Sequence, residues 1–217
     1  MPLLLFSLPK LLIPPISFSI IDDITRSSKA GLASIAFFYF DFKDEAKKNV
    51  CGALASLIIQ LAAQSDAYSK ILPALYSENH AGSKQPSDDE LRECLKNMLA
   101  VPDQAPIYIV MDALDECPNS TGTPSPRENV LHLVEWLLEL RSSNLWVSVT
   151  SQPEPDITAV LQSLASHTIS LHNEVGQKED ITNYIKWFVN SDPKARRWRK
   201  KDKELVIEKL SERADGM

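Results

Sequence analysis

Glycine is scarce in this chain of 217 residues: there are 6, and none precedes Gly31. A glycine-rich turn that brings the backbone close to a ligand is therefore excluded from the N-terminal segment. Cysteine is sparser still. Cys51, Cys94 and Cys117 are odd in number, far apart and form no C-x-x-C pair. That excludes a disulfide framework and points to reduced thiols in an intracellular protein, with burial expected for Cys51 and Cys94. His80, His132, His167 and His172 show no metal-ligand spacing with the cysteines. Positive charge is also lacking overall, and a net charge of −6 argues against nucleic-acid binding over the whole surface. The apolar segment from Met1 to Ile21 is broken by Pro2, Pro9, Lys10, Pro14 and Pro15, which excludes a regular membrane-spanning helix. It has neither the basic start nor the small-residue cleavage site of a signal peptide. No Ser or Cys has the context of a nucleophile elbow, and there is no internal repeat or low-complexity tract.

What is present is a globular composition, 44% hydrophobic and 24% charged, enough for one good-sized α/β domain. Its most informative stretch runs from Ile107 to Glu116, IYIVMDALDE. A short unbroken apolar run after Pro106 reads as a strand buried on both faces. Asp112, Asp115 and Glu116 follow at its carboxyl end, where open α/β sheets bind ligands. Carboxylates there need a cation, solvent or hydrogen-bond donors. The bland alternative is a solvated turn, since Asp favours turns. The pattern hhhhD-x-x-D-E is the Walker B signature of P-loop NTPases, whose first acid serves Mg²⁺ and whose later acids orient water.

The rest of the chain alternates. Ser19 to Ser28 ends a helix and Gly31 breaks it. Ser34 to Phe42 is an aromatic-rich buried strand. Val50, Leu54, Leu57, Ile58 and Leu61 recur at helical spacing over roughly 46–64, and residues 65–86 look looser, with Pro73, Gly82 and Pro86. Ser87-Asp-Asp-Glu90 is a capping box opening a helix. Ser125-Pro126-Arg127-Glu128 opens another, after a polar loop whose sequon at Asn119 is read as coincidence. Leu145–Thr150 is a strand, 156–165 a short helix and Thr168–Leu171 a last strand. Two helices close the chain, the second near 202–213. The basic run Lys194–Lys203 reads as a solvated loop, with a nucleic-acid or anionic-lipid patch as the alternative. Repeated strand–helix alternation predicts a parallel sheet with right-handed crossovers.

Four ordered segments, Ala36–Phe42, Ile109–Cys117, Val149–Ile157 and Asp180–Ile185, together resemble the NACHT domains of STAND-type NTPases. The resemblance is closest to the nephrocystin-type NACHT modules of fungal NOD-like receptors and covers about residues 17–217. Arg213–Met217 looks like that family's A-D-G-M-F segment, cut before its end. The resemblance implies an α/β fold, a three-layer P-loop NTPase-like parallel sheet wrapped by helices, with the first (P-loop) strand missing or replaced. Residues 1–16 would then be an atypical apolar segment and 17–217 a partial NACHT-like domain. It also implies Mg²⁺ at Asp112, water activation by Asp115 and Glu116, and Thr150 and Ser151 on a sensor strand facing the γ-phosphate of ATP or GTP. A cytoplasmic location follows, with protein partners or self-association as in the family, and no specific nucleic acid or membrane.

Two departures stand out. Where the family has G-x-x-G-x-G-K-[ST], this chain has Lys10-Leu-Leu-Ile-Pro-Pro-Ile16, and prolines lack the N–H that a phosphate cradle needs. Lys10 reads as a tail lysine rather than a stand-in for the phosphate-binding one. The family's T-S-R reads Thr150-Ser151-Gln152, which removes the arginine's charge. Impaired nucleotide binding and hydrolysis are therefore expected. A non-catalytic interaction module with the same fold, and an Mg²⁺-dependent hydrolase of another α/β family, are the other readings. The apolar run Leu3–Leu8 is the candidate to fill the missing strand.

Overall fold

The computed structural model describes residues 2–7, 13–119, 124–170, 177–191, 195 and 198–214. The chain divides into two compact units, Met1–Leu8 with Leu12–Ile169, and Pro9–Leu11 with Ser170–Met217. The first unit holds a five-stranded parallel sheet in the order β2-β3-β4-β1-β5. Its strands are β1 (Leu3–Ser7), β2 (Ser34–Tyr39), β3 (Ile107–Asp112), β4 (Leu145–Ser151) and β5 (His167–Ser170). β1 is the strand that the sequence left missing or replaced. Leu3–Ser7 lies beside β4, Leu3 against Val147 and Ser7 against Ser151, and runs towards helix α1 (Ile13–Lys29). Lys10 lies outside the described residues.

Side chains alternate across each strand, and the two faces of the sheet are packed unequally. Ala36, Phe38, Ile109, Met111, Val147, Val149, Leu3 and Leu5 join one large core. Three helices cover that face: α2 (Val50–Ala62), α5 (Asp88–Leu99) and α6 (Pro126–Glu139), which bring in Leu54, Leu57, Ile58, Leu95, Met98, Leu133 and Leu137. The opposite face meets α1 through a small cluster of Ile21, Ile35 and Val110, flanked by Ile20, Ile24, Phe37 and Tyr108. Asp112 belongs to this second face.

Helix boundaries follow their caps. Ser87 and Ser125 each accept from the N3 backbone N–H, while Glu90 and Glu128 reach back, so both expected helix starts are complete capping boxes. The stretch expected to be loose is instead structured as α3 (Asp66–Ser69) and α4 (Leu72–Glu78). Ser65 caps the first, buried Tyr68 anchors it, and Pro73 sits in the first turn of the second, where no N–H is needed. The expectation for cysteine is also corrected. Cys94 is buried, but Cys51 is half-buried in the first turn of α2, where it accepts from Gln85. Cys117 is buried instead, its thiol donating to the Lys48 carbonyl at 3.1 Å.

The free edge of β2 is closed by side chains. Gln60 accepts from the Phe37 N–H and donates to the Phe37 carbonyl, and Gln64 does the same to Ile35. Four residues of helix rise about as far as two residues of strand extend, so the i, i+4 amides match alternate strand residues. An edge strand left bare would be a template for pairing with another chain.

α7 (Pro155–Leu164) joins β4 to β5 and buries Ile157 and Leu161. In the second unit α8 (Gln177–Ser191) and α9 (Lys200–Ala214) pack together. The rings of Tyr184, Trp187 and Phe188 cluster on an exposed flank of α8. Of the basic run, Arg199, Lys200 and Lys201 are exposed, while Lys194, Arg196 and Arg197 lie outside the described residues.

Candidate functional site

β3 ends at Asp112 and the chain turns at once. Ala113 adopts φ 56° and ψ 49°, a left-handed conformation that costs a non-glycine residue about 1–2 kcal/mol. The turn sends Leu114 fully into the core and leaves Asp115 and Glu116 half-buried at the sheet edge. The backbone strain is thus held in place by an apolar anchor one residue on.

Asp112 is 4% exposed. Its Oδ1 accepts from the hydroxyls of Ser17, in the first turns of α1, and Thr150, near the end of β4. The Thr150 hydroxyl in turn accepts from the Ala113 N–H at 3.0 Å. Burial pushes the Asp112 carboxyl above its ordinary value, against the lowering by the Ser17 and Thr150 hydroxyls and the Ala113 N–H; the Asp115 charge raises it further. Tyr39 lies opposite Asp112 in the sheet, and burial, then the Asp112 charge, raises its phenol.

Of the residues expected to form a site, Asp112 and Thr150 are brought together. Asp115 accepts from the Gln152 N–H at 3.0 Å, which ties the acidic turn to the end of β4. Ser151 is on the opposite face from Thr150, and its hydroxyl donates to the Gln152 carbonyl at 2.7 Å. Glu116 closes the turn, its N–H donating to the Ala113 carbonyl at 2.9 Å. Among the described residues no three His, Cys, Asp or Glu side chains gather as a metal cage.

Two residues were missed. Position 17 appeared only as the start of the resembling region, yet the Ser17 hydroxyl bonds the central carboxylate from 95 positions away. Arg127 is 8% exposed and grips the acidic turn from behind. Its Nε donates to the Cys117 carbonyl at 2.9 Å, one Nη to the Asp115 carbonyl at 2.6 Å, and the other to Asp156 at 3.2 and 3.3 Å. A signal was available. Arg127 stands in the first turn of α6, where a cation opposes the helix dipole and needs another reason to be there.

The positions correspond to the parts of a nucleotide site: a strand running into a helix, a hydroxyl and a carboxylate that would share Mg²⁺, and a polar residue on the neighbouring strand. The residues present do not fit a bound triphosphate. Pro14 and Pro15 fall in the first turn of α1, so two of the N–H groups that a helix N-terminus offers to phosphate are absent. Asp112 Oδ1 already accepts from the hydroxyls of Ser17 and Thr150.

This architecture is an α/β domain with the P-loop NTPase-like fold. The family model for nephrocystin 3, N-terminal, matches residues 16–152, and the chain belongs to that family. Among solved structures the fold is similar to a chain of the Drosophila ORC structure bound to DNA, with a TM-score of 0.55 and 13% identity. The match covers 97% of this chain but 45% of that one, so this chain spans less than half its length. No curated protein matches the sequence.

Proposed function

We propose that this chain is a NACHT-type module of the STAND class that keeps the NTPase scaffold, is impaired in ATP and GTP binding and hydrolysis, and acts through protein partners. The observation that carries this reading is the closed set of bonds around Asp112. Ser17 and Thr150 both donate to Asp112 Oδ1 and so satisfy it without a metal, and Pro14 and Pro15 remove phosphate donors from the first turn of α1. Asp112, in this reading, works as a structural hub joining α1, β3 and β4 rather than as a metal ligand. Asp115 and Glu116 shape the turn and activate no water. The free thiols of Cys51, Cys94 and Cys117 support a reducing, cytoplasmic setting.

Titration with fluorescent ATP and GTP analogues, with and without Mg²⁺, tests the reading. We expect dissociation constants weaker than about 0.1 mM, unchanged in Asp112→Ala. Micromolar, Mg²⁺-dependent binding that Asp112→Ala abolishes would refute it.

A further inference from the structure

The thinly covered face of the sheet contains a cavity of about 120 Å³ between α1 and strands β1, β3 and β4. Leu4, Phe6, Ile20, Ile24, Tyr108 and Trp146 supply its apolar walls, and Ser148 lies among them. It forms because Ser148 is short where its neighbours on that face of β4 are Trp146 and Thr150, and because α1 is the element packed over this face. Ser148 is 7% exposed, and its hydroxyl has no hydrogen-bond partner among the described residues. Across the two strands Tyr108 and Trp146 stack with centroids 6.1 Å apart and planes 20° apart, and both are partly exposed.

We propose that this cavity binds a small neutral molecule consisting of one aromatic ring with a single hydrogen-bonding group, of the size of phenol. Three features select that chemistry. An apolar cavity of about 150 Å³ accepts benzene, so a single ring is the right scale. Water wets it poorly, since among the described lining residues the Ser148 hydroxyl is the unpaired polar group and the other walls are apolar. Among the described residues no charged side chain lines the cavity, which argues against an ion. A ring fills the apolar space against Tyr108 and Trp146, and its polar atom completes Ser148. The occupant would brace Ile20 and Ile24 one to two turns beyond Ser17, and so hold α1 where Ser17 meets Asp112. The proposal does not depend on the state of the nucleotide site.

Calorimetric titration of the full chain with phenol and with benzene tests it. Phenol is expected to bind about five-fold tighter than benzene, the worth of one hydrogen bond. Ser148→Ala should bring the two within about two-fold by removing that bond. Ser148→Ile, checked for a native far-UV spectrum, should fill the space and abolish both. Absence of binding by either probe at millimolar concentration overturns the proposal, as does a phenol preference that survives Ser148→Ala. Should the isoleucine variant fail to fold, the alanine comparison decides alone.

Discussion

Replacing Arg127 with leucine tests whether the acidic turn is held by its own sequence or by the guanidinium behind it. Leucine keeps apolar contact along the stem but leaves the carbonyls of Asp115 and Cys117 without their donor, bonded now at 2.6 and 2.9 Å. A hydrogen bond to a charged group contributes roughly 1.5–3 kcal/mol. The ion pair with Asp156 adds little, because that carboxylate's side chain is 33% exposed and solvent screens it. The expected loss is therefore about 3–5 kcal/mol, set mainly by the two carbonyls. For a chain of this size that lowers the melting temperature by roughly 10 °C. Urea unfolding should show a lower midpoint with an unchanged slope. Arg127→Lys should recover less than half, since an ammonium cannot span acceptors arranged for a planar fork. Hydrogen exchange should also quicken at the Gln152 N–H, because its acceptor is the Asp115 carboxylate on the loosened turn. A loss below about 1 kcal/mol for Arg127→Leu would show that Leu114 and the neighbouring strands fix the turn unaided.

Asp112→Asn retains an acceptor for Ser17 and Thr150 and removes a buried charge. Burial raises the folded carboxyl above its ordinary 3.8, so the native state holds its proton longer than the unfolded chain. The stability linked to that proton is complete below 3.8 and is lost as pH rises through the raised value. The asparagine variant should therefore melt close to the parent near pH 4 and above it at pH 7, by a few degrees; a gap that shrinks with rising pH contradicts the assignment. The pair Gln60→Ala with Gln64→Ala deletes four bonds to the edge of β2 and should cost about 2–4 kcal/mol. Light scattering should detect self-association through the bared edge, and a monomeric, equally stable variant would show that the amides are dispensable. Gly52→Ala would place a Cβ 1.8 Å from the Ala46 carbonyl oxygen, so despite a better helix propensity it should destabilise by more than about 2 kcal/mol. Neutral or improved stability in urea would mean that the segment before α2 yields easily.

Much of the sheet was legible because its code is local. Ile107–Asp112 and Leu145–Ser151 announce themselves as apolar runs, and the serine–glutamate pairs at Ser87 and Ser125 fix two helix starts within a turn. Asp112 was legible for the same reason, as a charge at the end of such a run. Thr150 was named for the same site only through the family resemblance, and Ser17 was not named for it at all. Ser17 and Thr150 reach it across sequence separations of 95 and 38, and nothing near a serine in a helix says which carboxylate it will meet. Arg127, Gln60 and Gln64 are likewise polar residues whose roles exist only after packing. The helix-dipole conflict at Arg127 and the i, i+4 amides on α2 are faint local traces of them.

Strand β1 shows why the scaffold tolerates an altered phosphate end. The inner position of a parallel sheet asks for a run of apolar residues with free backbone donors and acceptors, and Leu3–Ser7 supplies both. That demand ends at Ser7. Beyond it the family's loop needs glycine and N–H groups for a ligand, a requirement that contributes nothing to the core of Leu3, Leu5, Val147 and Val149. Asp112 would be the weak point of such a scaffold, because a buried carboxylate without donors is costly. Here its Oδ1 accepts from Ser17 and Thr150, which offset part of the cost of burial. The bonds that let Asp112 remain are the same ones that occupy it. In the proposed reading these bonds make Asp112 a tolerated buried carboxylate that links α1, β3 and β4, at a cost in stability near neutral pH that Asp112→Asn would relieve.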